Sequence, residues 1–113
     1  MGENQIKATD KKLDKEFLDR IVGIRRDLHQ HPELSWQEHK TQQKIITWLG
    51  ELGVHNFREV AGTGLIVDIE GEDPGKVIAL RADIDALPIE EESGLEFSSQ
   101  NSGVMHACGH DGH

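Results

Sequence analysis

The chain has 113 residues, enough for one small domain, and apolar and aromatic residues make up only 35% and 4% of it. Its formal net charge is −9, and no run of lysine or arginine exceeds two residues. Because a nucleic acid or an anionic membrane surface attracts a basic stripe, the sequence predicts neither as a partner. The single cysteine excludes an internal disulfide, and the polar first twelve residues lack the apolar core of a signal peptide. These features favour a cytoplasmic protein.

Two helices are predicted in the first half of the chain, after a flexible, charged leader over residues 1–12. Apolar residues recur every three or four positions from Leu13 to Leu28, which is typical of one face of a helix. This helix should end near His31, because Pro32 disfavours helical geometry in the residue before it.

The second helix is predicted from the pair Ser35 and Glu38, which have the spacing of a capping box. In such a box the serine hydroxyl accepts from a backbone N–H and the glutamate reaches back to the serine N–H. The neighbouring residues His29, His31 and Glu33 are interpreted as an ordinary helix end, where an imidazole suits the negative end of the helix dipole.

Strands are predicted after the helices. Residues 64–70 (GLIVDIE) are rich in branched side chains, and residues 72–75 have the composition of a turn. Residues 77–80 (VIAL) form a continuous apolar run, as expected of a strand covered on both faces, and the turn suits a hairpin between the two strands. Residues 89–104 are predicted to be a loop. Two helices followed by strands indicate an α/β layered domain.

The last nine residues, 105–113 (MHACGHDGH), contain the only cysteine and three of the seven histidines. Thiolate, imidazole and carboxylate are the side chains that bind transition metals, and Gly109 permits a tight turn between Cys108 and His110. We therefore predict Cys108 and His110 as metal ligands. Two alternatives stay open: a buried structural cysteine among surface histidines, and a thiolate nucleophile with a histidine base.

Two aspartates follow the predicted strand 77–80. Asp83 and Asp85 are two residues apart, so in extended chain their side chains share a face. Carboxylates at the end of a buried strand need a positive partner, and a metal, an imidazolium or Arg81 would serve. They are predicted either to bind metal or to orient a histidine that does; the alternative is a solvated strand end. The nearby run Glu90, Glu91 and Glu92 is interpreted as a solvated acidic face.

Three segments resemble, in order and spacing, the motifs of the dinuclear-metal amidohydrolases: residues 25–34 (RRDLHQHPEL), 81–89 (RADIDALPI) and 105–113. That family includes hippurate hydrolase, the auxin-conjugate hydrolases, N-acyl-amino-acid deacylases and N-acetyldiaminopimelate deacetylase. The resemblance implies that residues 13–113 form the N-terminal portion of a zinc-peptidase-like three-layer α/β/α catalytic domain. The smaller lid or dimerisation domain of the family has no counterpart in these residues.

The resemblance also assigns roles to individual residues. Cys108 and His110 match the first two ligands of a centre that holds two divalent ions, which we expect to be zinc, manganese, nickel or cobalt. The other ligands, a glutamate and two histidines, and the glutamate that acts as general base lie beyond residue 113 in the family. Asp83 and Asp85 occupy the positions of a His-x-Asp pair, and Asp85 is the better candidate for a supporting role. Further candidate residues lining the site are His106 and Asp111.

The activity implied by the resemblance is hydrolysis of the amide bond of N-acyl amino acids, with a small-molecule substrate and a homo-oligomer, dimer or tetramer, at full length. We expect the 113 residues alone to be inactive, because they end inside their own metal motif without the remaining ligands and the base. One alternative is a small metal-binding module that uses Cys108 and His110 without catalysis. The other is a thiol hydrolase, which would be blocked by alkylation of Cys108 and insensitive to chelators.

Overall fold

The computed structural model describes residues 14–113, so the predicted leader and Leu13 lie outside the described residues. The elements in chain order are two helices, two strands and one short 3-10 helix: α1 (Lys15–Gln30), α2 (His39–Glu51), β1 (Phe57–Val60), β2 (Gly64–Val67) and the 3-10 helix (His110–Gly112). Within this part of the chain, neither helix combines the length and the apolar character that crossing a membrane requires.

Local hydrogen bonds cap both ends of helix α1. The Asp14 carboxylate accepts a hydrogen bond from the backbone N–H of Phe17 at 2.7 Å, which caps the first turn. The helix ends at Gln30, and the N–H of His31 donates back to the carbonyl of Asp27 at 3.2 Å. The predicted end near His31 is confirmed.

Helix α2 begins later than the capping box predicts, at His39, and its first residues are capped from further away. The Glu33 carboxylate accepts from the N–H of Lys40 at 3.2 Å and from that of Thr41 at 2.6 Å. Ser35 makes no cap hydrogen bond, because its hydroxyl donates to a side chain 50 residues away. The capping-box prediction was therefore wrong, and Glu33 satisfies the free N–H groups instead.

The sheet is a hairpin, but not the predicted one. Strand β1 pairs with β2 in antiparallel register, with Phe57 opposite Val67, across a turn over residues 61–63. Gly62 adopts a left-handed φ of 79° in that turn, which its lack of a side chain permits. The predicted hairpin between residues 64–70 and 77–80 was wrong, and the strand at 64–70 is shorter than expected.

Residues 77–80 form no strand. Val77 and Leu80 are 95% and 96% exposed, the opposite of the two-sided burial predicted for this run. A buried strand needs a hydrogen-bonded neighbour along its edge, and no strand of residues 14–113 lies beside this segment.

Polar side chains make up most of the interior of the described residues. Only three apolar residues of this part of the chain are buried, Pro32, Ala86 and Val104, whereas the buried polar and charged residues are His29, Glu38, Thr41, Gln42, Thr63, His106 and Asp111. The hairpin is joined to α2 by such contacts: Gln42 Nε2 donates to the carbonyl of Gly64, and Thr63 Oγ1 to Glu38, each at 2.8 Å. Because a buried polar group that loses its partner is costly, these pairs determine the local packing.

Candidate metal centre

Backbone bridges bring the three motifs together. The N–H of Ala86 donates to the carbonyl of Glu33 at 2.8 Å, which joins the second motif to the first. Leu87 and Met105 exchange two hydrogen bonds of 2.9 Å, which join the second motif to the third. Residues 89–104 connect the two sides of this bridge and form a loop without helix or strand, as predicted. The result is a common surface for residues that lie far apart in the sequence.

His110 is held by the second motif. Its Nδ1 lies 2.8 Å from Asp85 Oδ1 and 3.2 Å from the Asp85 carbonyl, and the Ser35 hydroxyl donates to the other carboxylate oxygen. The hydrogen bond from Ser35, together with that from His110, keeps the pKa of Asp85 below its usual value, although burial works in the other direction. An ionised Asp85 accepts the Nδ1 proton of His110 and leaves Nε2 free to bind a metal ion.

Asp83 lies on the other side of the same imidazole. Its Oδ2 is 3.7 Å from His110 Nε2, and its Oδ1 is 3.0 Å from the Arg81 guanidinium. Both predicted aspartates thus face His110, Asp85 at one ring nitrogen and Asp83 at the other. Asp83 is placed to line the space in front of Nε2.

Cys108 is exposed and carries a free thiol. It is separated from His110 by Gly109, whose φ of 93° lies in the left-handed region. A side chain at position 109 would be strained by the left-handed backbone. A steric clash would not add to this strain, because a Cβ at Gly109 would meet no atom within 4 Å.

We expect Gly109→Ala to lower the free energy of unfolding by about 1–2 kcal/mol, the usual cost of a left-handed residue with a side chain. Gly112→Ala is the matched control, because a Cβ at Gly112 also meets nothing within 4 Å and its φ is not left-handed. Urea unfolding of the two variants measures the difference. Equal losses would contradict the assignment of strain to Gly109.

His106 is buried, at 4% exposure, and neither of its ring nitrogens has a hydrogen-bond partner within the described residues. Burial lowers the pKa of this imidazole, which favours the neutral ring. Buried polar atoms are nearly always paired in native proteins, so these two nitrogens are exceptions within the described residues.

A buried ion network links the first motif to the third. His29 Nδ1 lies 2.9 Å from Asp111 Oδ2, and His29 Nε2 lies 3.0 Å from Glu91 Oε2. The side chains of His29, Asp111 and Glu91 are 4%, 2% and 2% exposed, and the Arg25 guanidinium contacts Asp111 Oδ2 at 3.0 Å. Both ring nitrogens of His29 thus face carboxylate oxygens, which hold the imidazole between Asp111 and Glu91.

Two interpretations of the sequence need correction here. His29 does lie in the last turn of α1, as expected of a helix end, but it is buried between two carboxylates, whereas His31 caps the helix with its Nδ1 2.9 Å from the Asp27 carbonyl. Glu91 is not a solvated acidic residue. Burial would raise the pKa of Glu91, but hydrogen bonds from the Ser93 hydroxyl, from His29 and from the Ser99 N–H outweigh it and lower the pKa to about 2.

Several side chains of the third motif are of the types that bind transition metals. Within residues 14–113 no three His, Cys, Asp or Glu side chains lie close enough together to hold an ion. The donor types nevertheless fit a transition metal: a free thiol at Cys108, an imidazole at His110 with Nε2 available, and an unpaired buried imidazole at His106.

Known proteins are similar to this chain in sequence and in fold. Residues 79–113 match the model of peptidase family M20/M25/M40. The chain is 52% identical over 105 residues to N-acetylcysteine deacetylase of Bacillus subtilis (strain 168), a match that covers 88% of this chain and 27% of that protein. It is 48% identical over 103 residues to N-acyl-L-amino acid amidohydrolase of Geobacillus stearothermophilus, covering 91% of this chain and 28% of that protein.

The structure is similar to the crystal structure of a Bacillus subtilis dinuclear metal-binding peptidase of the M20 family, with a TM-score of 0.82 and 53% identity. The match covers 87% of this chain and 28% of that one. The chain thus resembles members of peptidase family M20/M25/M40 in sequence and in structure, and the α/β fold class expected from the resemblance is confirmed. It spans a little over a quarter of the length of these relatives.

Proposed function

We propose that the full-length protein is a metal-dependent amidohydrolase that cleaves the amide bond of N-acyl amino acids. The observation that carries the proposal is the Ser35–Asp85–His110 chain, which orients one imidazole with Nε2 free beside the thiol-bearing turn. The similar proteins support the substrate class, because one is an N-acetylcysteine deacetylase and another an N-acyl-L-amino acid amidohydrolase.

In this proposal Cys108 and His110 are ligands of a centre with two divalent ions, and the similarity to a dinuclear metal-binding peptidase supports that number. A thiolate ligand favours zinc, nickel or cobalt over magnesium or calcium, and carboxylate and imidazole ligands from elsewhere in the protein would also admit manganese. Bound divalent ions lower the pKa of a water molecule and polarise the amide carbonyl of the substrate.

The residues of this chain would orient a metal ligand, the His110 imidazole. Asp85 holds the Nδ1 proton of His110 and so keeps Nε2 directed at the metal, while Ser35 fixes the Asp85 carboxylate. Asp83 and His106 line the space around the imidazole. The general base and the remaining ligands come from residues outside this chain, as the family resemblance implies.

We also propose that the full-length protein is a cytoplasmic homo-oligomer, a dimer or a tetramer. The family resemblance, with its dimerisation domain, supports self-association. The free thiol of Cys108 suits a reducing compartment.

The test is turnover of N-acetyl and N-benzoyl amino acids by the full-length protein with added zinc or manganese. We expect hydrolysis that is abolished by a chelator and restored by metal, and no hydrolysis by the isolated 113 residues. Turnover that survives chelation but is lost on alkylation of Cys108 would overturn the proposal in favour of a thiol hydrolase. Metal binding without turnover of any such substrate would favour a metal-binding module.

A further inference from the structure

His29 lies outside the third motif but contacts it at Asp111. We propose that His29 is a positioning residue: held between Glu91 and Asp111, it fixes through Asp111 the turn that carries Cys108 and His110. The inference rests on the proposed function, because it concerns the geometry of the proposed metal ligands. The four residues that form this contact, Arg25, His29, Glu91 and Asp111, are called the His29 clamp below.

The turn needs such a contact because it has little packing of its own. Among residues 108–113, Asp111 is the only one that is buried. The 3-10 helix is three residues long, and its backbone bonds, such as Gly112 N–H to the Gly109 carbonyl at 3.0 Å, are local. Asp111 directly follows His110, so fixing the Asp111 carboxylate also fixes the backbone from which the His110 side chain leaves.

The two side chains that hold Asp111, those of Arg25 and His29, are not equivalent. Arg25 approaches Asp111 Oδ2 at 3.0 Å, but its side chain is 45% exposed. His29 approaches the same oxygen at 2.9 Å, is buried, and is restrained on its far side by Glu91 at 3.0 Å. The ring of Phe97 meets His29 edge-on at a centroid distance of 5.7 Å. The imidazole of His29 is therefore the rigid half of the clamp.

His110 is thus restrained twice. Asp85 fixes its ring directly at Nδ1, and the His29 clamp fixes its backbone through Asp111. The loss of residues that orient a metal ligand typically weakens metal binding by about 10- to 100-fold. We expect an effect in this range when the clamp is broken, even though no clamp residue would touch the metal.

The experiment compares metal affinity in full-length variants. In His29→Gln the side chain is neutral, and its single amide group cannot donate to both carboxylates. We expect its Kd for zinc, measured by competition with a chelating dye, to rise about 10- to 100-fold, and the absorption of the cobalt-loaded protein to change. His31→Gln is the matched control, because His31 lies on the same helix end outside the clamp and should leave both readouts unchanged.

A second variant separates positioning from a loss of stability. His29→Gln/Glu91→Gln also removes the Glu91 carboxylate, so no buried carboxylate is left without its partner there, which should recover part of the lost stability. We expect its zinc Kd to stay raised, because Asp111 still lacks the His29 imidazole. A Kd equal to that of the wild type in the single variant, or restored in the double variant, would overturn the proposal.

The proposed function has its own outcome in the same experiment. If His110→Ala binds zinc as tightly as the wild type, the assignment of the metal centre fails, whatever His29→Gln does. If His110→Ala loses zinc while His29→Gln keeps it, the metal centre stands and the positioning role of His29 falls.

Discussion

Replacing His110 with alanine in the full-length protein should lower kcat/KM for N-acyl amino acids by more than about 100-fold, beyond the usual effect of losing an orienting residue. The substitution removes a proposed metal ligand and leaves the Asp85 carboxylate without its imidazole partner. Asp85→Asn keeps the ligand but removes the ionised acceptor of the Nδ1 proton. For that variant we expect a smaller loss, about 10- to 100-fold.

Steady-state kinetics over a range of metal concentrations distinguishes the two variants. In Asp85→Asn part of the activity should return at high metal concentration, because Nε2 is still present; in His110→Ala it should not. His39→Ala is the control, because His39 is exposed at the start of α2. A His110→Ala variant with unchanged kcat/KM would remove His110 from the metal centre.

Features set by neighbours in the sequence could be predicted. The end of α1 follows from Pro32, and the left-handed turn at Gly109 follows from the need for a residue without a side chain. Cys108 and His110 could be proposed as ligands for the same reason, because a dense motif shows its donor types without any knowledge of the fold.

Features set by distant residues could not be predicted. The serine of the expected capping box, Ser35, bonds instead to Asp85, 50 residues along the chain. The His29–Asp111 contact joins residues 82 apart. In the sequence His29 is interpreted as part of an ordinary helix end, and Asp111 is a candidate for lining the metal site, so nothing indicates that they contact each other. The only local signal for His29 was its place in a motif whose other histidine, His31, already explains the helix end. Tertiary contacts decided the outcome in each case.

The predicted strand 77–80 failed for a related reason. Its apolar run correctly indicates a segment suited to burial, but burial depends on what lies beside it. Residues 14–113 place no strand along its edge, and Leu80 is almost fully exposed. The composition of a segment indicates whether it is suited to a buried strand, whereas its pairing with a neighbouring strand depends on the rest of the sheet.

Glu91→Gln should lower the free energy of unfolding at neutral pH by about 3–5 kcal/mol, the usual cost of breaking a buried ion pair. The pKa of Glu91, lowered from 4.5 to about 2 by hydrogen bonds from the Ser93 hydroxyl, from His29 and from the Ser99 N–H against the effect of burial, has the direction expected of a carboxylate held in its ionised form. The glutamine variant leaves His29 with only Asp111 as an acceptor.

The pH dependence of the same variant is a sharper test. A lowered pKa means that Glu91 stabilises the fold fully above pH 4.5 and loses that contribution as the pH falls toward 2. The difference in unfolding free energy between wild type and Glu91→Gln should therefore be largest near pH 7 and shrink across this window. Glu92→Gln is the control, because its side chain is exposed beside the same segment. A constant difference from pH 7 to pH 2 would show that Glu91 acts through packing and that its charge does not hold His29.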